Sequence, residues 1–313
     1  MLSRTADHLY WMSRYTERAE NTARMLDVNY QTSLLPQSAA VSKVGWQGML
    51  SISELMPAYQ AKHGEVDPQR VMQFMVRDES NPSSIVSCLK AARENARAVR
   101  GSLTTEAWET QNQTWLEVNR MLRAGEFERD PGQFFEWVKY RSHLSRGVTV
   151  GTMLMDEALH FMRLGTFLER ADNTSRILDV KYHILLPEFS GVGGGLDYHQ
   201  WSAILRAVSA LRAYHWVYND RVQPWKVAEL LILRPEMPRS LRSSFDHISE
   251  ALTALSTSYN RTGECHRLAG QIHARLKYGK IDGIFQTGLH EFLTEIVDST
   301  IELGNETARF YLF

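Results

Sequence analysis

Cysteine is scarce in this chain of 313 residues: there are two, Cys88 and Cys265, far apart and without Cys-x-x-Cys spacing. That argues against a disulfide framework or a zinc knuckle, and leaves two buried free thiols as the expectation. Proline (9) is sparse, and much of the glycine (19) is clustered, so few positions interrupt the chain. Sustained alternation of apolar and polar residues is missing, which removes the usual sign of half-buried strands. No apolar run approaches the roughly 20 residues needed to span a bilayer. The opening MLSRTADHLYWMSRYTERAEN lacks the apolar centre of a signal peptide, so a cytoplasmic protein is expected. Charge of either sign is not in excess: the net value is −1. Composition therefore gives no reason to expect nucleic acid or a membrane as partner.

What is present is helical spacing. A hydrophobic fraction of 43% with 23% charged residues suits a globular protein, and the spacing of apolar positions predicts an all-α fold. Helices are expected at about 4–31, 43–60, 68–78, 82–101, 104–124, 131–145, 152–186, 197–217, 223–233, 238–256, 262–278 and 284–310. Asp67-Pro68, Asn81-Pro82 and Gln223-Pro224 place proline at a first helical position, and Thr104 offers a capping hydroxyl. Loops are expected at Leu35–Val41, Arg77–Asn81, Phe189–Gly195 and Gly279–Gly283. The SGVGGG run reads as a flexible connection, because a phosphate loop needs a preceding strand and a closing Gly-Lys-Ser/Thr.

The chain also resembles itself. ERAENTARMLDVNY from Glu17 and ERADNTSRILDVKY from Glu169 agree at ten of fourteen positions. Chance would give about one identity in such a window. Downstream, Trp46 corresponds to Trp201, Pro68 to Pro224, Val71 to Val227, Pro82 to Pro238 and Ser84 to Ser240. Two tandem, pseudo-symmetric helical-bundle repeats follow, 1–150 and 151–313. A continuous helical run near Gly147–Met155 would join them, so they are expected to interlock into one unit.

At 100° per residue, Glu17, Asn21, Arg24 and Val28 form one stripe, and Glu169, Asn173, Arg176 and Val180 repeat it. The opposite arc (Met12, Tyr15, Ala19, Thr22, Leu26, Tyr30) reads as a core face. Two meanings stay open for the polar stripe. Its charges could pair with one another or with an arginine of the other repeat, helped by the i,i+4 pairs Glu20–Arg24 and Asp172–Arg176. Alternatively, two copies of Glu, Asn and Arg could line a cleft, with arginines gripping a carboxylate or phosphate and amides reading a peptide backbone. No Glu-x-x-His follows the stripe and Cys265-His266 lacks a partner pair, so neither a metal nor another cofactor is expected. No nucleophile motif stands out. The tryptophans, among them Trp46, Trp201, Trp216 and Trp225, read as packing or helix-junction residues. Arg93, Arg97 and Arg100 read as a solvated helix face.

These residues resemble a known family. The opening MLSRTADHLYWMSRYTERAENTARMLD, the segment NPSSIVSCLKAARENARAVR and GTMLMDEALHFMRLGTFLERADNTSRILDVKY are similar to the alpha-E domain family, bacterial helical proteins with a Glu-Arg motif. Its motif positions carry onto Glu17, Arg18, Asn21, Arg24, Glu169, Arg170, Asn173 and Arg176. Members are usually encoded beside a circularly permuted ATP-grasp protein and a transglutaminase-like cysteine peptidase. The resemblance thus implies a non-catalytic binding or scaffold component of a peptide synthesis or modification system, with those two proteins as partners and a peptide as possible ligand. The alternatives are an enzyme of peptide amide chemistry using the stripe, with Glu17 or Glu169 as general base, and a structural homo-oligomer joined through Arg93–Arg100.

Overall fold

The computed structural model describes residues 1–34, 39–184 and 195–312, and those residues contain helices without strands. The SGVGGG run except Gly195, and the Leu-Leu-Pro segment of the second repeat, lie outside them, as does most of the 35–41 loop. The chain divides into two compact units, Met1–Thr166 with Leu312, and Phe167–Tyr311. This division is drawn by packing and falls within a helix; the repeats were drawn by sequence similarity.

The first unit contains α1 (Ser3–Ser33), α2 (Ala39–Ile52), α3 (Met56–His63), α4 (Pro68–Arg77), α5 (Ile85–Ala98), α6 (Thr105–Arg123), α7 (Glu126–Arg129), α8 (Pro131–Thr152) and the start of α9 (Glu157–Ile184). Several starts have a chemical cause. Asp67, Ser84, Thr104 and Asp130 each accept a backbone N–H three residues on, and proline follows Asp67 and Asp130. Helix α1 packs chiefly against α5 and α8, and α6 closes the bundle against both. Leu9, Met12, Ala19, Leu26, Leu89, Phe134, Phe135 and Val138 fill its core.

The second unit holds the rest of α9 with α10 (Gly195–Ala207), α11 (Leu211–Tyr218), α12 (Pro224–Ile232), α13 (Leu241–Tyr259), α14 (Glu264–Tyr278), α15 (Ile281–Thr287) and α16 (Leu289–Thr307). Here α14 lies between α13 and α16. The two units share local devices. Glu54 (φ 56°) and Ser209 (φ 54°) each end a helix in the left-handed region, and the next amide reaches back to Leu50 and Leu205. The buried Tyr59 hydroxyl accepts the N–H of Asp67, as Tyr214 accepts that of Gln223.

Those left-handed residues split two helices that the apolar spacing joins, 43–60 and 197–217. Neither is glycine, so nothing in the sequence marked the stop. Gly288 (φ 107°) similarly divides 284–310. The run expected to be continuous near Gly147–Met155 breaks after Thr152, because Asp156 accepts the N–H of Ala158 and caps α9. Trp46 and Trp201 are core residues, whereas Trp216 and Trp225 are exposed at helix ends, where Trp225 Nε1 donates to Gln223 Oε1 at the start of α12.

One surface group of the first unit ties stability to pH. Lys62 reaches both Asp78 oxygens (2.8 and 2.6 Å), and the Ser80 amide donates to Oδ1 at 2.9 Å. Burial opposes the Asp78 charge, but Lys62 and Ser80 outweigh it and hold the carboxyl at about 2, below its ordinary 3.8. This stabilisation is complete above the ordinary carboxylate value and is lost as pH falls from about 4 towards 2. Asp78→Asn is therefore expected to lower the urea midpoint at neutral pH, with the difference from the parent shrinking across that window.

Candidate functional site

The stripe on α1 is buried, not open. Glu17 is 1% exposed and Glu20 is fully buried, so both carboxylates require partners within the protein. One partner of both comes from α8. Arg146 Nη1 donates to Glu17 Oε2 at 2.8 Å and to Glu20 Oε2 at 2.5 Å. Ser142 Oγ donates to the same Glu20 oxygen at 2.6 Å. Arg24 Nε holds the other Glu20 oxygen, Oε1, at 2.8 Å, which is the i,i+4 pair that the sequence suggested.

Two glutamates and two arginines thus meet among the contacts described. Burial weakens the Arg146 charge, but Glu17 and Glu20 outweigh that effect and hold its pKa above the ordinary guanidinium value. On the outer edge, His143 Nδ1 lies 2.8 Å from Arg146 Nη2, and its Nε2 lies 3.3 Å from Arg24 Nη2. Both guanidinium groups are donors only, so a neutral ring accepting through Nδ1 satisfies the shorter contact.

The cluster has a register. Helices α1 and α8 are antiparallel, and seven residues beyond Glu20–Arg146 they meet again, Asp27 with Lys139 at 2.8 Å. Two helical turns separate these rungs on both helices. Behind the first rung is a cavity of about 10 Å³, lined by Thr16, Gln111, Thr114, Arg141, Ser142 and Ser145. That is room for one water molecule. Gln111 Nε2 bonds Ser145 Oγ at 2.8 Å and Arg141 Nε bonds Thr114 Oγ1 at 2.8 Å, so a polar seam crosses the bundle core.

The remaining motif residues have individual placements. Arg18 sits over the Tyr15 ring, 5.7 Å from its centroid, and Asn21 is buried. In the second unit, Glu169 and Arg170 are buried, and Arg170 Nη1 donates to the Pro238 carbonyl at 3.3 Å while lying over Phe167. Asn173 is half-buried. Arg176 Nε pairs with Asp172 at 2.9 Å, the second expected i,i+4 pair.

The second unit also has a rung, Asp179 with His290 at 2.6 Å. Two turns back on α9 is Asp172, and two turns forward on α16 is Val297.

Cys265 Sγ is 3.4 Å from His266 Nδ1, a contact that could suggest a thiolate–imidazolium pair. Burial instead pushes the thiol up to about 11, and burial also lowers the pKa of His266. His266 Nδ1 accepts the Gly263 N–H at 3.0 Å, and its Nε2 faces Tyr311 Oη at 3.1 Å. This histidine caps α14 and positions the C-terminal turn. Both cysteines are buried and free. Among the described residues, no group of three His, Cys, Asp or Glu side chains could hold a metal ion, and no helix is long and apolar enough to cross a membrane.

Sequence reasoning missed Arg146, Ser142 and His143. Their signal was the SHLSR segment of α8, where a serine and an arginine four residues apart share a helix face.

Comparison with known proteins places the whole chain. The Alpha-E family model, described as a predicted alpha-helical domain with a conserved ER motif, matches residues 1–312. An uncharacterized protein of Mycobacterium bovis and two of Mycobacterium tuberculosis are each 30% identical over 328 aligned positions, which cover 94% of this chain. The chain spans 35% of the length of each of these relatives. No solved structure matches.

Proposed function

Because the chain belongs to the Alpha-E family, we propose that it is a non-catalytic binding or scaffold component of a peptide synthesis or modification system. Its partners in this reading are an ATP-grasp protein and a transglutaminase-like protein, in the cytoplasm. The observation that carries the non-catalytic part is the engagement of both motif acids of α1. A general base must reach a substrate proton, whereas Glu17 and Glu20 are buried against Arg146, Ser142 and Arg24. The much greater length of the mycobacterial relatives fits a module that works alongside other domains.

We also read the chain as two tandem pseudo-symmetric repeats. Support comes from the paired left-handed stops at Glu54 and Ser209, the paired turn-locking tyrosines Tyr59 and Tyr214, and the serine caps Ser84 and Ser240.

The test is size-exclusion chromatography of the chain mixed with the ATP-grasp protein at micromolar concentration. Co-elution is expected, and Glu17→Gln, where it remains folded by circular dichroism, should still co-elute. Separate elution of the parent proteins would sink the scaffold reading. Peptide-amide turnover that Glu17→Gln abolishes in a folded protein would favour the enzyme instead.

A further inference from the structure

Helix α8 presents an apolar face directly opposite the one it buries. At 100° per residue, Tyr140, Leu144, Gly147 and Gly151 fall within about 60° of one another. Phe134, Val138, Ser142 and Thr149, which face the bundle, are centred on the other side. Tyr140 is 70% exposed and Leu144 44%, and Val150 (65%) flanks the face. Soluble proteins seldom leave a patch of this kind uncovered without a use for it.

The glycines make the face specific. A methyl group built at Gly147 or Gly151 meets no atom of the described residues within 4 Å. Neither has a positive φ. Glycine in an exposed helix interior is less stable than alanine, so folding of this unit provides no reason for Gly147. Close approach of another backbone does.

We infer that this face of α8 is a homodimer interface, in which a second copy of the chain packs its own α8 antiparallel to the first. The argument for a second copy is self-complementarity. With a two-fold axis passing between residues 145 and 146, Tyr140 lies opposite Gly151 of the second copy and Leu144 opposite Gly147. Each bulky side chain meets a gap, twice over, as an isologous contact requires. Tyr140 and Leu144 make this a small contact, so the association is expected to be weak and concentration-dependent. This surface is separate from the buried charge cluster on α1 and stands or falls independently of the scaffold reading.

The test needs no ligand: light scattering of the full chain over a concentration series, with cysteine cross-linking to fix the register. The mass should rise from 36.0 kDa towards twice that value as concentration increases. Gly147→Leu should weaken the dimer at least tenfold, while Gly147→Ala should raise the thermal midpoint of the dilute monomer by a few degrees and also weaken association. Tyr140→Cys mixed with Gly151→Cys should form an inter-chain disulfide on mild oxidation, and Tyr140→Cys alone should not. A monomer at every concentration overturns the inference, as does a dimer indifferent to Gly147→Leu. Efficient self-linking of Tyr140→Cys overturns the antiparallel register.

Discussion

Arg146→Met is expected to lower the stability of the protein by about 3–5 kcal/mol, although the arginine lies at the edge of its unit. The loss comes from the groups left behind. Glu17 and Glu20 are buried, and without Arg146 two carboxylates share one desolvated site with Arg24 and Ser142 as the remaining neighbours described. Like charges at that distance cannot both stay ionised cheaply, so one is expected to take up a proton. Urea unfolding at neutral pH measures the loss, and the variant should regain part of its deficit as pH is lowered. Replacing Glu17→Gln and Arg146→Met together should cost less, since one carboxylate and one guanidinium are removed at once and the Glu20–Arg24 pair is kept. A single Arg146→Met loss below about 1 kcal/mol would place the network in the weak class of exposed ion pairs.

Gly165→Ala should be destabilising by about 3 kcal/mol, the upper end of ordinary overpacking costs. In α9, a methyl group at this position would lie 2.2 Å from the Tyr10 carbonyl oxygen and 3.3 Å from the Arg14 amide nitrogen. These are backbone atoms of α1, so no side-chain rotation relieves the clash and the two helices must separate. Alanine is the better helix former by roughly 1 kcal/mol, which is too little to compensate. The contrast with Gly147 and Gly151, also helical but facing open space, makes the comparison informative: alanine should stabilise there and destabilise at Gly165. Thermal unfolding of the three single variants tests the difference in sign.

The helical fold was legible because its signals are local. Proline after Asp67 and Gln223, and capping by Thr104, mark starts where the spacing places them, whereas α5 begins at Ile85 behind its Ser84 cap and not at the expected Asn81-Pro82. The stops at Glu54 and Ser209 were not legible, since an ordinary side chain held at positive φ leaves no mark in composition. The site divides in the same way. The pairs Glu20–Arg24 and Asp172–Arg176 follow from spacing on a single helix. Arg146 lies 126 residues from Glu20, and its role depends on the antiparallel register of α1 and α8. Burial of the acids implied that some cation must reach them; only packing identified which one. The α1 stripe engages Arg146 of α8 in its own unit.

A double-mutant cycle between Glu20→Gln and Arg146→Met, followed by urea unfolding, tests most directly whether the Glu-Arg motif of α1 acts as an internal ion-pair lock. The two residues are in contact and share one desolvated network, so their coupling should be about 2–3 kcal/mol. A coupling below about 0.5 kcal/mol, with both single variants near parent stability, would contradict the lock and return the motif to the role of a ligand site.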